Sequence, residues 1–368
     1  MPPNFLQQRI SGSHIPALDG IRGLASLAVV FHHLGFGQGP LGAYGVSVFF
    51  VLSGFLITWL LVRENDRTGT VSLKNFYLRR TLRIFPAFYV YWAVTLGVFY
   101  WMRGAIAWPE PIAAFFYCGD WFHALQREPD TNRIMVITWS LGVEEKFYLI
   151  WPWLFLFLRK NPKKLIRLTV ALIGSIWLYR LGMMVLFDLP RNYLKYAFEA
   201  RFDNILWGCL LALLTAANRL PKVLRRLAAH PGWLLPVLAV IVTSLTLEAR
   251  YGSRYHYSFG MTVDGIFTAV LLVQLVTLTN SALLSWLESP PSRFLGRISY
   301  SLYLYHPTVM ALMRHLGRGY SIRLAALVLG SILAASASYY LIEKPFLRLK
   351  ERFAVRVREI PRAIPATA

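Results

Sequence analysis

Apolar and polar positions alternate along this chain in long blocks. Stretches of about twenty mostly apolar residues, the length that spans a bilayer as a helix, are separated by short basic segments. The pattern predicts ten helices over roughly 19–38, 43–62, 84–102, 134–158, 166–187, 201–217, 232–248, 259–279, 298–316 and 322–342. The sixth is short and carries Asp203. Backbone polar groups in lipid have to be satisfied within the spanning segment itself, which favours helices. The short alternating segments of a membrane β-barrel are absent from the sequence. The expected fold is an all-α polytopic membrane protein of about ten transmembrane helices.

The basic residues test that map, because cytoplasmic loops of membrane proteins carry the excess of Lys and Arg. With the N-terminus inside, 26 of the 39 Lys and Arg fall in cytoplasmic segments and 11 in outer ones. One span more or fewer would put successive basic loops on the wrong side, so both termini are expected in the cytoplasm. Composition agrees: the chain is 56% hydrophobic and 15% charged, against roughly a quarter charged in soluble proteins. The net charge of +21 belongs to topology rather than to nucleic acid. Two cysteines, Cys118 and Cys209, make no disulfide framework. The polar start and the lack of a small-residue cleavage site argue against a cleavable signal peptide. The expected domains are an integral membrane unit over 1–347 and a basic tail over 348–368 on the cytoplasmic leaflet, where each Lys or Arg near anionic lipid is worth about 1 kcal/mol. The longest outer loop, 103–133, holds Trp108, Pro109, Pro111, Trp121 and His123 and suits an interfacial segment.

Ionisable groups inside spans are costly and mark candidate function. Arg22 and His33 lie eleven residues apart, which on a helix is roughly 16 Å of rise with both projecting from nearly one face. His32 is turned away by about 100°. Such a pair suits an extended carrier with an anionic head and a reactive end, although a hydrogen-bonded packing histidine has the same spacing. Arg80 and Arg83 share one helical face and suit phosphates, or they anchor the helix end. Glu144, Glu145 and Lys146 enter an apolar helix, where one carboxylate facing the bundle would need a cationic partner. His306 precedes Pro307, and a proline frees a backbone carbonyl and kinks its helix. Other patterns lead nowhere. His14-x4-Asp19 encloses Pro16, Gly45-Val46-Ser47 lacks the closing glycine of a nucleophile elbow, and no Cys/His cluster has metal-ligand spacing.

Six blocks taken together resemble the acyltransferase-3 family of bacterial membrane O-acyltransferases. They are Ile15-Pro16-Ala17-Leu18-Asp19-Gly20-Ile21-Arg22-Gly23-Leu24 with Arg-x10-His ending at His33; Val48-Phe49-Phe50-Val51-Leu52-Ser53-Gly54-Phe55-Leu56-Ile57; and Arg80-x2-Arg83 before Ile84-Phe85-Pro86. The others are Trp139-Ser140-Leu141-Gly142-Val143-Glu144-Glu145-Lys146-Phe147-Tyr148; Ile298-Ser299-Tyr300-Ser301-Leu302-Tyr303-Leu304-Tyr305-His306-Pro307; and Glu343-Lys344-Pro345-Phe346. Gly142 and Lys146 depart from the Ser or Ala and the Gln often found there. The resemblance implies a ten-helix domain in the bacterial inner membrane and an acyl-CoA donor, acetyl-CoA by default, reached from the cytoplasm without a metal. It implies a carbohydrate or other hydroxyl-bearing acceptor among envelope or exported molecules. It makes His33 the catalytic histidine with Arg22 as its partner, Glu144 the characteristic carboxylate, and Arg80 and Arg83 the donor-binding pair. Asp19, Ser53 and His306 are further candidates. A transporter or flippase of an acylated glycan intermediate is the rival reading, in which the same buried charges would line a pathway.

Overall fold

The computed structural model describes residues 6–7, 10, 15–33, 40–126, 133–186, 191–278, 281–282, 284–316 and 320–353, with backbone only at 191 and 320–325. His14, residues 34–38 of the first predicted span, the final residues 187 and 279 of two others, residues 127–132 of the outer loop and the tail beyond 353 lie outside them.

All regular structure among the described residues is helical. In chain order the helices are α1 (Pro16–His33), α2 (Leu41–Thr68), α3 (Leu73–Arg103), α4 (Pro109–Phe115), α5 (Gly119–Leu125), α6 (Thr138–Leu158) and α7 (Pro162–Leu186). There follow α8 (Arg191–Tyr196), α9 (Phe198–Ala216), α10 (Lys222–Ala229), α11 (Leu234–Tyr251) and α12 (Ser253–Thr277, with a π turn at His256–Gly260). The chain closes with α13 (Pro290–His315), α14 (Tyr320–Ser338), a π turn at Tyr339–Glu343 and α15 (Lys344–Glu351).

Ten of these helices are long, and each overlaps one predicted span. Their ends differ from the hydropathy windows for a physical reason. Hydropathy marks what can sit in lipid, whereas capping marks where the backbone stops being helical. Thus α3 starts at Leu73, well before its apolar stretch, because the Ser72 side chain accepts the Asn75 N–H at 3.3 Å. α13 likewise starts eight residues before its predicted span, behind the Ser289 cap and with Pro290 and Pro291 in its first turn. α2 runs on to Thr68 and stops at Gly69, whose φ of +74° closes the helix.

The chain is an all-α membrane protein. Six segments are long and apolar enough to cross a bilayer on composition alone: α2, α3, α7, Pro231–Tyr251, α12 and Ala326–Glu351. The other four long helices, α1, α6, α9 and α13, hold Arg22 and His33, Glu144 to Lys146, Arg201 to Asn204, and His306. Those polar groups point into the bundle, so the helices that carry them read as weak spans while lying among the others.

α2 and α9 form the centre, and glycines set how close they come. A Cβ on Gly54 would run into the Ile205 carbonyl oxygen, and one on Gly208 into that of Val51. The two backbones therefore touch, as small residues permit in membrane bundles. α1 lies against α13 in the same way, with Gly296 under the Asp19 carbonyl. α7 and α11 are peripheral and expose Leu178, Val185, Leu235 and Val242, the apolar surface a lipid-facing helix needs.

Gly54→Ala should destabilise the bundle by about 1–3 kcal/mol, the usual cost of overpacking. Gly97→Ala, with nothing within 4 Å of its new Cβ, should be neutral or stabilising by up to about 1 kcal/mol. Thermal unfolding midpoints of the two variants in the same detergent check the ranking.

Candidate functional site

A cavity of about 460 Å³ opens at the end of the bundle where α1 and α3 begin and α2 and α15 finish. Its wall is built by helix-start and helix-end residues of those four helices together with α6 and α13. Six cations line it, Arg22, Arg63, Arg80, Arg83, Arg297 and Lys350, against four carboxylates, Asp19, Glu144, Glu145 and Glu343. Arg22 and Asp19 are one helical turn apart, with their charged atoms 3.7 Å from each other. Arg80 lies over the Tyr148 and Phe76 rings at 5.5 and 5.8 Å from their centroids, which holds its planar guanidinium without consuming its donors. Among the described residues Arg80, Arg83, Arg297 and Lys350 form no ion pair.

Helical spacing alone does not separate the three arginines of α3, since Arg79 and Arg83 are four apart and Arg80 and Arg83 three. Arg80 and Arg83 line the cavity. Arg79 is spent structurally. It donates to Glu64 Oε2 at 2.7 Å and to the Phe353 carbonyl at 3.0 Å.

Glu144 lines the cavity, and its hydrogen-bond partners are hydroxyls. Ser53 Oγ donates to Oε1 at 2.8 Å, Tyr148 OH donates to Oε2 at 3.0 Å, and the two hydroxyls are 3.3 Å apart. Tyr148 follows Glu144 by one turn of α6, and Ser53 reaches across from α2. Hydroxyl donors at both oxygens satisfy the carboxylate, and Arg22 and Arg80 act on it only from a distance, with no ion-pair contact. Lys146 points the other way. Its ammonium pairs with Asp120 at 2.6 Å, donates to the Tyr117 carbonyl at 3.2 Å and lies over Trp121. It therefore ties the short helix α5 to α6. Burial raises the Asp120 carboxyl above its ordinary value, and the Lys146 ammonium pulls it back down. Glu110 does similar work for the same loop by accepting the Ile134 and Met135 N–H groups at 2.8 and 3.0 Å.

The inner end of the cavity is closed by Phe49, Phe50, Ser140 and Tyr303. Tyr303 OH lies 2.6 Å from Ser140 Oγ. His33 and His306 are beyond this layer and do not line the cavity; the Tyr303 and His306 rings are 6.0 Å apart. The two histidines meet each other, with His306 Nε2 3.3 Å from His33 Nδ1. His32 packs instead over Gly42.

The partners of this pair fix its tautomers. Pro307 lacks an N–H, so the Tyr303 carbonyl, four residues earlier, loses its helical donor. His306 Nδ1 is 2.8 Å from that oxygen and 3.3 Å from Leu302 O. Facing two carbonyls, Nδ1 has to carry the hydrogen, and Nε2 is left as an acceptor. His33 Nδ1 in turn faces the Val29 carbonyl at 2.8 Å and His306 Nε2, both acceptors, so it too carries its hydrogen. In the neutral pair His33 Nε2 therefore holds a free lone pair, the form a general base needs.

A second polar cluster fills the opposite end of α7, α9, α11 and α12, where sequence spacing gave no metal-ligand pattern. Arg180 and Asp203, both fully buried, pair at 2.6 Å. Arg180 also donates to Ala200 O, Tyr257 O and Thr262 Oγ1. Beside them the ligand-type atoms of Glu248, His256 and Asp264 lie within 4.8 Å of one another. His256 Nδ1 meets Glu248 Oε2 at 2.9 Å, and Ser244 donates to Asp264 at 2.9 Å. Arg201 stands between this cluster and the cavity wall, over the Phe50 and Trp139 rings. These groups come from four different helices, so only the packing of those helices reveals the cluster.

Comparison with known proteins agrees with the architecture. A family described as Acyltransferase domain matches residues 15–343. The peptidoglycan O-acetyltransferase OatA of Listeria monocytogenes is 33% identical over 335 residues, covering 83% of this chain and 50% of that protein. The O-acetyltransferase OatA of Staphylococcus aureus is 28% identical over 363 residues, covering 92% of this chain and 58% of that protein. The chain thus spans about half the length of the curated relatives it matches. No solved structure matches it.

Removing one partner of the Arg180–Asp203 pair should show that it holds the bundle together. Asp203→Asn should cost about 3–5 kcal/mol by stranding a buried guanidinium. The double change Arg180→Met with Asp203→Leu should recover most of the loss, as read from unfolding midpoints in detergent.

Proposed function

The chain belongs to the acyltransferase domain family, and from that premise we propose that it transfers an acetyl group from acetyl-CoA to a hydroxyl of a cell-envelope carbohydrate. The similarity to a peptidoglycan O-acetyltransferase makes peptidoglycan the first acceptor to try. We place the chain in the bacterial inner membrane with ten crossings and both termini in the cytoplasm. Ten successive long helices and the concentration of basic residues at one end support that topology.

The observation that carries the reading is the cavity itself. Unpaired guanidiniums from α3 and α13 converge at its mouth, and a base-form histidine pair lies past its inner wall. A donor with several phosphates and a flexible arm ending in a thioester fits that polarity. The phosphates bind Arg80, Arg83 and Arg297 at the cytoplasmic end. The arm runs inward along α1, past Ser53 and Glu144 toward Tyr303. The eleven residues from Arg22 to His33 give that path roughly 16 Å.

The acceptor hydroxyl attacks the thioester carbonyl carbon while His33 Nε2 takes its proton. The carbon–sulfur bond breaks, its electron pair leaves on sulfur, and the proton on His33 passes to the thiolate to give free CoA. As His33 becomes cationic its Nδ1–H donates more strongly to Val29 O and to His306 Nε2, which hold the ring in place. In this reading Glu144 positions Ser53 and Tyr148 along the arm.

Acceptor-dependent release of CoA thiol from acetyl-CoA by the detergent-purified protein tests the proposal. His33→Ala should lower the rate by about 10²–10⁴-fold, the scale of general base catalysis, with the unfolding midpoint unchanged. Arg83→Ala should act mainly on the KM for acetyl-CoA. A full rate in His33→Ala would remove His33 from the chemistry, and transport of an acylated glycan without CoA release would favour the rival transporter.

Pro307→Ala probes the histidine pair without touching either ring. The new N–H competes for the Tyr303 carbonyl and loosens His306. The expected result is a kcat lowered by as much as about a hundredfold, the scale of a small misplacement of a catalytic group, with the donor KM unaffected.

A further inference from the structure

The last helix does not end with the family's match. That match stops at residue 343, and the sequence pattern sets off a basic tail from residue 348. In the structure the helix continues through the π turn at Tyr339–Glu343 into α15. A π turn adds a residue to one turn and shifts the face that follows, a device found often at functional sites. Here it follows Ser338, whose hydroxyl bonds to Ser301 at 2.7 Å, and it ends at Glu343, which accepts from the same serine. Tyr339, Glu343, Leu347 and Lys350 then all line the cavity. The last three are spaced four and three apart, one face of an α-helix.

α15 is held in that position by the protein. Its end is tied down by Arg79, which donates to the Phe353 carbonyl at 3.0 Å and to Glu64 at 2.7 Å. Glu64, 7% exposed, also accepts the Ser72 N–H at 2.8 Å at the start of α3. The turn between α2 and α3 thus clamps the helix that follows the last span. Lys350 is only partly exposed, makes no ion pair among the described residues, and shares the cavity mouth with Arg80, Arg83 and Arg297.

We propose that α15 is a wall of the donor site and that Lys350 binds a phosphate of the donor, so that the site extends past the end of the family's match. This rests on the reading of the cavity as the place of a phosphorylated donor. A membrane-surface tail would turn its lysines to lipid. The Arg79 clamp turns this one inward.

Equilibrium binding to the detergent-purified full chain tests it, with CoA and inorganic pyrophosphate as separate probes. Wild type, Lys350→Ala, Lys350→Arg and Arg83→Ala are compared, with unfolding midpoints checking that each is folded. The expected result is CoA affinity weakened about tenfold in Lys350→Ala, a typical loss for one charge-assisted contact, weakened also in Arg83→Ala, and largely kept in Lys350→Arg. CoA binding weakened by Arg83→Ala but equal in Lys350→Ala and wild type would overturn the role of α15 and leave the donor reading standing. Pyrophosphate binding that depends on Lys350, without any CoA binding, would support the phosphate contact and overturn CoA as donor. Binding of neither probe to wild type would overturn both.

Discussion

A charged side chain in an apolar bundle has to find its partner within the protein, most often on another helix, because lipid cannot supply one. That constraint organises this molecule. Arg180 and Asp203 join α7 to α9. Glu144 joins α6 to α2 through Ser53, and Lys146 joins the same helix to α5 through Asp120. Glu343 joins the last helix to α13 through Ser301, and Glu64 with Arg79 joins α2, α3 and the end of α15. Against this background of paired charge, Arg80, Arg83, Arg297 and Lys350, which form no ion pair among the described residues, stand out at one cavity mouth. Their partner is a ligand in our reading of the site.

The same constraint explains why four long helices fall short of the hydropathy of a spanning segment. α7 and α11 stay apolar enough because each gives few groups to the buried cluster, Arg180 from α7 and Ser244 and Glu248 from α11, and turns its other side outward. α1, α6, α9 and α13 carry Arg22, Glu144, Asp203 and His306 inside the bundle. Each such group lowers their hydropathy and requires glycine or hydroxyl residues nearby, so that neighbours approach closely enough to satisfy it. Gly54 and Gly208 at the α2–α9 contact, and Gly296 against α1, are the visible cost of that closeness.

The histidine pair shows how a local sequence feature acquires its meaning from a distant one. Pro307 removes one N–H from α13, and the freed carbonyl is taken by the imidazole of the adjacent residue. That choice orients His306, which in turn dictates the tautomer of His33, 273 residues away. A single missing hydrogen on a proline nitrogen thereby sets which nitrogen of another residue can accept a proton.

Much of this was legible in the sequence. Block hydropathy located ten long helices, because burying an apolar stretch of bilayer length leaves few alternatives. Helical spacing put Arg80 and Arg83 on one face, since 100° per residue is a local property, but only the contacts to Glu64 and the Phe353 carbonyl set Arg79 apart from them. The motif blocks pointed to Arg22, Ser53 and Glu144, all of which line the cavity. Spacing along α1 suggested a single path from Arg22 to His33, but only the packed bundle put Tyr303 between the cavity and the histidines. The two hydroxyls that bond Glu144 could not be read from its helix alone, and Lys350 was taken for part of a tail. The clustering of Glu248, His256 and Asp264 had no signature at all. The sequence by itself determined what depends on near neighbours along the chain: which stretches are helical and apolar, and which side chains share a face. Tertiary structure alone decided which faces meet, and therefore which charges are spent on holding helices together and which remain free for a substrate, because in a low-dielectric interior a partner's distance and geometry outweigh its place in the chain.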